Sequence, residues 1–226
     1  LDKPIIEQDF IDNAGCKIIW LDHHPLIERN NVYYYNPLKH SEKNVPTTYL
    51  AYSIVKSNLW IAVVGCIADH FIPDFFKEFI KQYPELVDVD GNDPGELKVT
   101  GNLGKLIRIL SFNLKGDMRD AVHSINTMEK IDNPYEILNQ ETTHGKFLFK
   151  KYAILNKKYE KLLKKSENSL EEGKFFIFIY SDIKLSFTRE LSEELIYKYP
   201  KKIVIVGRRN EDRVIMSIRS RKIKIP

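Results

Sequence analysis

Cysteine is nearly missing from this chain: Cys16 and Cys66 are the only two in 226 residues. Two are too few to staple a protein of this length, which excludes a disulfide scaffold. Both read as buried thiols of a reducing, cytoplasmic compartment. Long apolar runs are missing too. The longest, Leu59-Trp60-Ile61-Ala62-Val63-Val64-Gly65-Cys66-Ile67-Ala68, falls far short of the ~20 residues that cross a bilayer. No secretory-leader pattern shows in the opening residues, and no membrane partner is expected. Glycine and proline stand at 10 each, which excludes collagen-like and low-complexity chains. Neither sign of charge dominates, since 35 Lys+Arg against 31 Asp+Glu leave +4. So small an excess permits an anionic partner without demanding one. What remains, at 43% hydrophobic and 29% charged, is a globular composition long enough for one large domain or two small ones.

Local patterns predict mixed α/β structure. Lys17-Ile18-Ile19-Trp20-Leu21 has strand length, and Pro25 stops it from continuing in a ladder. A second short strand is expected over 33–36. A helix over 49–56 follows, with a threonine of Thr47-Thr48 as its cap. The apolar segment from Asn58 to Asp69-His70 fits a buried helix, although its period does not exclude a strand. An amphipathic helix is expected over 74–82, closed by Pro84. The turn-rich stretch 87–95 resembles a calcium loop only superficially, lacking a glutamate at the twelfth position. Helices are expected over 103–112, 117–128, 134–138 and 145–163, then a polar boundary over 164–173. A small α/β unit closes the chain, with strands over 175–180, 202–206 and 213–218 and a helix over 191–199.

Asp22-His23-His24 is the sharpest chemical signal. It follows a buried strand, and in an open α/β sheet ligands bind at the carboxyl ends of the strands. If the backbone stays extended, Asp22 and His24 point one way and His23 the other. One histidine could then bind a metal while its neighbour meets substrate; a histidine pair capping a sheet edge is the competing structural role. His70, next to Asp69, could be a ligand but better suits a helix end, and His40, His123 and His144 suit solvated or structural settings. Arg208-Arg209 with Arg219 and Arg221 form a basic strip, either a solvated edge or a phosphate contact. Tyr33-Tyr34-Tyr35 favours packing over base stacking. The lysine-rich helix over 146–165 is either a solvated face or a guide for polyanions.

Leu21-Asp22-His23-His24-Pro25 after an apolar strand resembles the signature of the DHH phosphoesterases. These include RecJ-type single-strand exonucleases, oligoribonucleases, cyclic-dinucleotide phosphodiesterases and manganese inorganic pyrophosphatases. Two further motifs fit in order and spacing. Leu1-Asp2-Lys3-Pro4 places Asp2 21 positions before His23, and Gly65-Cys66-Ile67-Ala68-Asp69 places Asp69 45 positions after His24. Val214-Ile215-Met216-Ser217-Ile218-Arg219-Ser220 and the strand and helix before it resemble the DHH-associated C-terminal domain, so the likeness covers essentially the whole chain.

The resemblance implies a Rossmann-like parallel-sheet domain over 1–130, N-terminally truncated, a helical linker over 131–173 and a smaller α/β substrate domain over 174–226. It implies that Asp2 bridges two Mn²⁺ (or Mg²⁺) ions and that His23 and Asp69 complete the coordination of one. His24 would contact the scissile phosphate, Asp22 would orient the adjoining histidines, and Arg219 with Ser217 would face the substrate. The expected activity is metal-dependent hydrolysis of phosphodiesters in short oligonucleotides or single-stranded nucleic acid. An inorganic pyrophosphatase and a nucleic-acid-binding relative without turnover are the alternatives, and a homodimer stays open. The family's histidine-and-aspartate cluster before Asp2 and its glycine-rich motif after Pro226 are missing, so an internal fragment is expected.

Overall fold

Ile18, Trp20 and Tyr34 organise the first part of the chain. The computed structural model describes residues 4–40, 44–88, 91–169, 173–181 and 185–223. They form two compact units, residues 1–84 and 85–226. In the first, helix α1 (Gln8–Asn13) precedes strands β1 (Ile19–Leu21) and β2 (Tyr33–Tyr35). The strands pair in parallel with Ile19 opposite Tyr33 and Leu21 opposite Tyr35. Alternation turns Trp20 inward and leaves Ile19 exposed. Trp20 joins Ile6, Ile11 and Ile18 in a small core, with the Tyr34 ring stacked 4.2 Å from its own.

Three helices complete this unit: α2 (Thr47–Val55), α3 (Leu59–Ala68) and α4 (Phe76–Gln82). Both α2 and α4 contact α3. The apolar segment is therefore a helix, and seven of its ten residues are buried. Gly65 permits the close approach of α2, because a Cβ there would meet the Thr48 side chain at 2.6 Å. Helix α3 ends in a Schellman motif. Phe71 N–H donates to the Cys66 carbonyl and His70 N–H to that of Ile67, with His70 left-handed at φ 58°.

The second unit carries α5 (Pro94–Val99), α6 (Gly101–Asn113), α7 (Met118–Met128), α8 (Tyr135–Leu138) and α9 (Thr143–Glu167). Then come β3 (Phe175–Ser181), α10 (Thr188–Lys198), β4 (Ile203–Asn210) and β5 (Arg213–Arg219). Thr142 starts α9 by accepting from Gly145 N–H, a hydroxyl cap of the usual kind. Leu148, Tyr152, Leu155, Tyr159 and Leu163, at intervals of three and four, form the buried stripe that packs α9 on α6, α7 and α8. The helix runs on to Glu167, into the polar segment expected as a boundary.

Strands β3 and β4 are parallel and β5 pairs antiparallel to β4, giving the order β3-β4-β5. Helix α10 contacts β4 and β5. Phe176, Phe178, Tyr180, Val204 and Val206 are buried, whereas Phe175, Ile177 and Ile179 of β3 are exposed. Tyr159 ties the helices to α10: its hydroxyl donates to Glu194 at 2.6 Å, and the Arg108 guanidinium lies 4.8 Å from its ring centre. Glu194 also binds Arg108 at 2.8 Å and Lys198 at 3.1 Å. The chain is thus mixed α/β, with two small sheets among the described residues. No described helix is long and apolar enough to cross a membrane.

Candidate active site

Parallel register brings two polar residues together. Because Leu21 sits opposite Tyr35, the next residues along each strand, Asp22 and Asn36, become neighbours. Asp22 N–H donates to the Tyr35 carbonyl at 3.1 Å, extending the ladder by one step. Both side chains are fully buried. A buried carboxylate is costly unless every lone pair finds a donor, and this one finds four. His24 Nδ1 lies 2.7 Å and His24 N–H 3.3 Å from Asp22 Oδ1. The Tyr34 hydroxyl at 3.2 Å and Asn36 Nδ2 at 3.3 Å donate to Oδ2. Asn36 Nδ2 also reaches the His24 carbonyl and the Tyr34 hydroxyl, both at 2.9 Å, while its oxygen accepts from Leu38 N–H.

This network decides the electrostatics. Burial alone pushes the Asp22 carboxyl up. The bonds from the His24 ring and backbone and from the Tyr34 hydroxyl outweigh it, and the group lies below its ordinary value. Tyr34 moves the other way, raised by burial and by the neighbouring Asp22 charge against the lowering bond from Asn36. With Asp22 ionised, a contact of 2.7 Å requires the proton on His24 Nδ1, which fixes the tautomer. Nε2 is then the ring atom left for an incoming group.

Beyond Leu21 the strand alternation does not persist. Asp22 and His24 meet on one side as expected, but the His23 and His24 rings also touch edge to face, 4.4 Å between centres. The cause is local: β1 ends at Leu21 and the chain bends at His24-Pro25. Both histidines are half-buried. Among the described residues the His23 ring makes no hydrogen bond, so its nitrogens remain available to a ligand.

Asp69, the third sequence-predicted metal residue, caps the carboxyl end of α3. Asp2 lies outside the described residues. Among the described residues no three His, Cys, Asp or Glu side chains gather closely enough to hold a metal ion. Ser217 and Arg219 belong to the second unit, side by side on the face of β5 that meets α10. Ser217 shares a hydrogen bond with Ser192 at 2.9 Å, and Arg219 Nη2 lies 3.3 Å from Glu193 Oε1. Arg189 Nε at 3.2 Å and Lys98 Nζ at 2.9 Å reach the same buried carboxylate.

Asn36, Glu193 and Lys98 were not singled out from the sequence, and Tyr34 was read only for packing or base stacking. For Asn36 a signal existed: two short apolar strands, each followed at once by a polar residue. No protein-family model matches the chain, and no curated protein matches it.

Proposed function

We propose that the chain is a DHH-type phosphoesterase that hydrolyses phosphodiester bonds in short oligonucleotides or single-stranded nucleic acid. The observation that carries this reading is the 2.7 Å contact between His24 Nδ1 and buried Asp22. It supports a ring held in one tautomer at the carboxyl end of a parallel strand, where a phosphate would be received. The order and spacing of Asp2, Asp22-His23-His24 and Asp69 support it as well. So does the parallel pairing of β1 and β2, a sheet of two strands among the described residues.

In this reading His24 presents Nε2 to a phosphate oxygen, and Asp22 holds the ring against rotation. Asn36 and Tyr34 keep Asp22 in place by filling its second oxygen. Arg219, braced by Glu193, offers its guanidinium to substrate phosphate, with Ser217 beside it. Asp2, His23 and Asp69 would be among the residues that hold two Mn²⁺ or Mg²⁺ ions, which take such carboxylate and imidazole donors. Bound there, the ions would supply an ionised water and neutralise phosphate charge. The described members, His23 and Asp69, do not by themselves make a cage.

Product analysis tests the proposal. The full-length protein is incubated with Mn²⁺ and a 5′-phosphorylated dinucleotide or a short oligonucleotide, and separately with pyrophosphate. Mononucleotide release that disappears in His23→Ala and in Asp69→Ala is the expected result. Turnover of pyrophosphate alone, release unchanged in either variant, or no release from any short oligonucleotide overturns it.

A further inference from the structure

Helix α9 carries eight lysines and only two glutamates. Both glutamates are engaged elsewhere, Glu160 with Arg108 at 3.5 Å and Glu167 with Lys198 at 2.8 Å. One lysine, Lys151, turns inward to the Asn113 carbonyl and the Ser124 hydroxyl. At 100° per residue, Lys146, Lys150, Lys157, Lys161 and Lys164 fall within about 60° of arc, a stripe about 27 Å long. All five are exposed. Among the described residues none of them has an acidic partner within ion-pair distance.

Five like charges in a row repel one another, and folding gains nothing visible from aligning them. A linear polyanion laid along the stripe would relieve that repulsion. We propose that this face of α9 is a track for single-stranded nucleic acid, with the lysines gripping successive phosphates. Phe147 and Ile154 stand beside the stripe and are partly exposed, apolar surfaces on which bases can rest. A lipid surface fits less well, because a membrane-lying helix needs its apolar face, and that of α9 is buried against α6, α7 and α8. The inference rests on the phosphodiesterase reading only in naming its substrate, a strand of several nucleotides; binding is measured without turnover.

The test is fluorescence anisotropy of a labelled oligothymidylate of about fifteen nucleotides, in EDTA, across a sodium chloride series. Each phosphate contact on a single strand contributes about 0.7 to the slope of log affinity against log salt. The combined Lys150→Gln, Lys157→Gln and Lys161→Gln variant is expected to lose about 2 from that slope and at least tenfold in affinity at low salt. The corresponding triple arginine variant is expected to keep both. Glutamine and lysine have similar helix propensity, so the fold should persist, with circular dichroism as the check. Unchanged slope and affinity in the glutamine variant overturn the proposal. So does equally tight binding of a poly-glutamate of matched charge. Failure here leaves the hydrolysis assay untouched, and absence of hydrolysis leaves this measurement untouched.

Discussion

Replacing Asp22 by asparagine changes one atom in a sealed network, so its cost can be worked through. Asp22 accepts two hydrogen bonds on each oxygen, from His24 on one side and from Tyr34 and Asn36 on the other. Asparagine keeps one acceptor oxygen and puts an N–H₂ in the other seat. With its oxygen toward His24, the amide faces Asn36 Nδ2, donor against donor. Reversed, it faces the His24 backbone N–H. Either way a buried donor is stranded, which costs about 1–3 kcal/mol, and losing the charge assistance adds about 1 kcal/mol. The expected loss is therefore about 2–4 kcal/mol. Urea unfolding followed by tryptophan fluorescence reads it directly. Trp20 and Trp60 are the protein's only two, both buried in the first unit, and Trp20 stacks on Tyr34. The pH dependence gives a second reading. Because the folded carboxyl sits below its ordinary 3.8, its stabilisation is fully present above that value and is lost as pH falls through the folded pKa. The gap between wild type and Asp22→Asn should be constant near neutrality and close in acid. A variant within ~0.5 kcal/mol of wild type, or a gap that widens on acidification, would refute the reasoning.

Other expectations follow from single contacts. In Gly145→Ala the new Cβ would overlap the Glu136 carbonyl, so α9 must shift from α8; a loss of at least ~2 kcal/mol in urea is expected, and wild-type stability would contradict it. Glu193→Gln leaves Lys98, whose side chain is 9% exposed, facing Arg189 and Arg219 without the carboxylate they share. It should cost about 3 kcal/mol and drop the Lys98 ammonium further below its ordinary range, where burial already holds it; thermal melts and faster amine labelling would show this. Burial and the Asp69 and Asp74 charges push the Cys66 thiol up to about 12, while Cys16, expected from the sequence to be buried, is exposed. A thiol reagent at pH 8 should therefore find one fast cysteine in the native protein and two after unfolding.

Much of the element order was legible because its signals were local. Ile19–Leu21 stood out as an apolar run, and 103–112, 117–128 and 145–163 each showed a clear helical period. Helices α1 and α5 were not predicted: each is six residues, and α5 begins inside the turn-rich stretch 87–95. The threonine cap of α2 was misplaced. Pro46 holds the capping position in extended geometry, and Thr47 begins the helix without a side-chain cap bond. Of the candidate site, Asp22 and the histidines were legible as residues, but their mutual geometry was not. That geometry depends on the register with β2, a pairing no single strand encodes. Glu193 and its three cations come from α5, α10 and β5, and only Arg189, four residues before Glu193 on α10, stands at a spacing that sequence shows.

Tyr159 sits at the seam of the second unit, its backbone in α9 and its hydroxyl spent on Glu194 of α10. Phe112 of α6 and Phe187, which leads into α10, close around its ring. The Arg108–Glu194 and Lys98–Glu193 pairs cross the same seam, so its contacts depend on one another. Loosening α9 would uncover Glu194 and its cations together, so the helices and the β3-β4-β5 layer should surrender their amide protons in one concerted event.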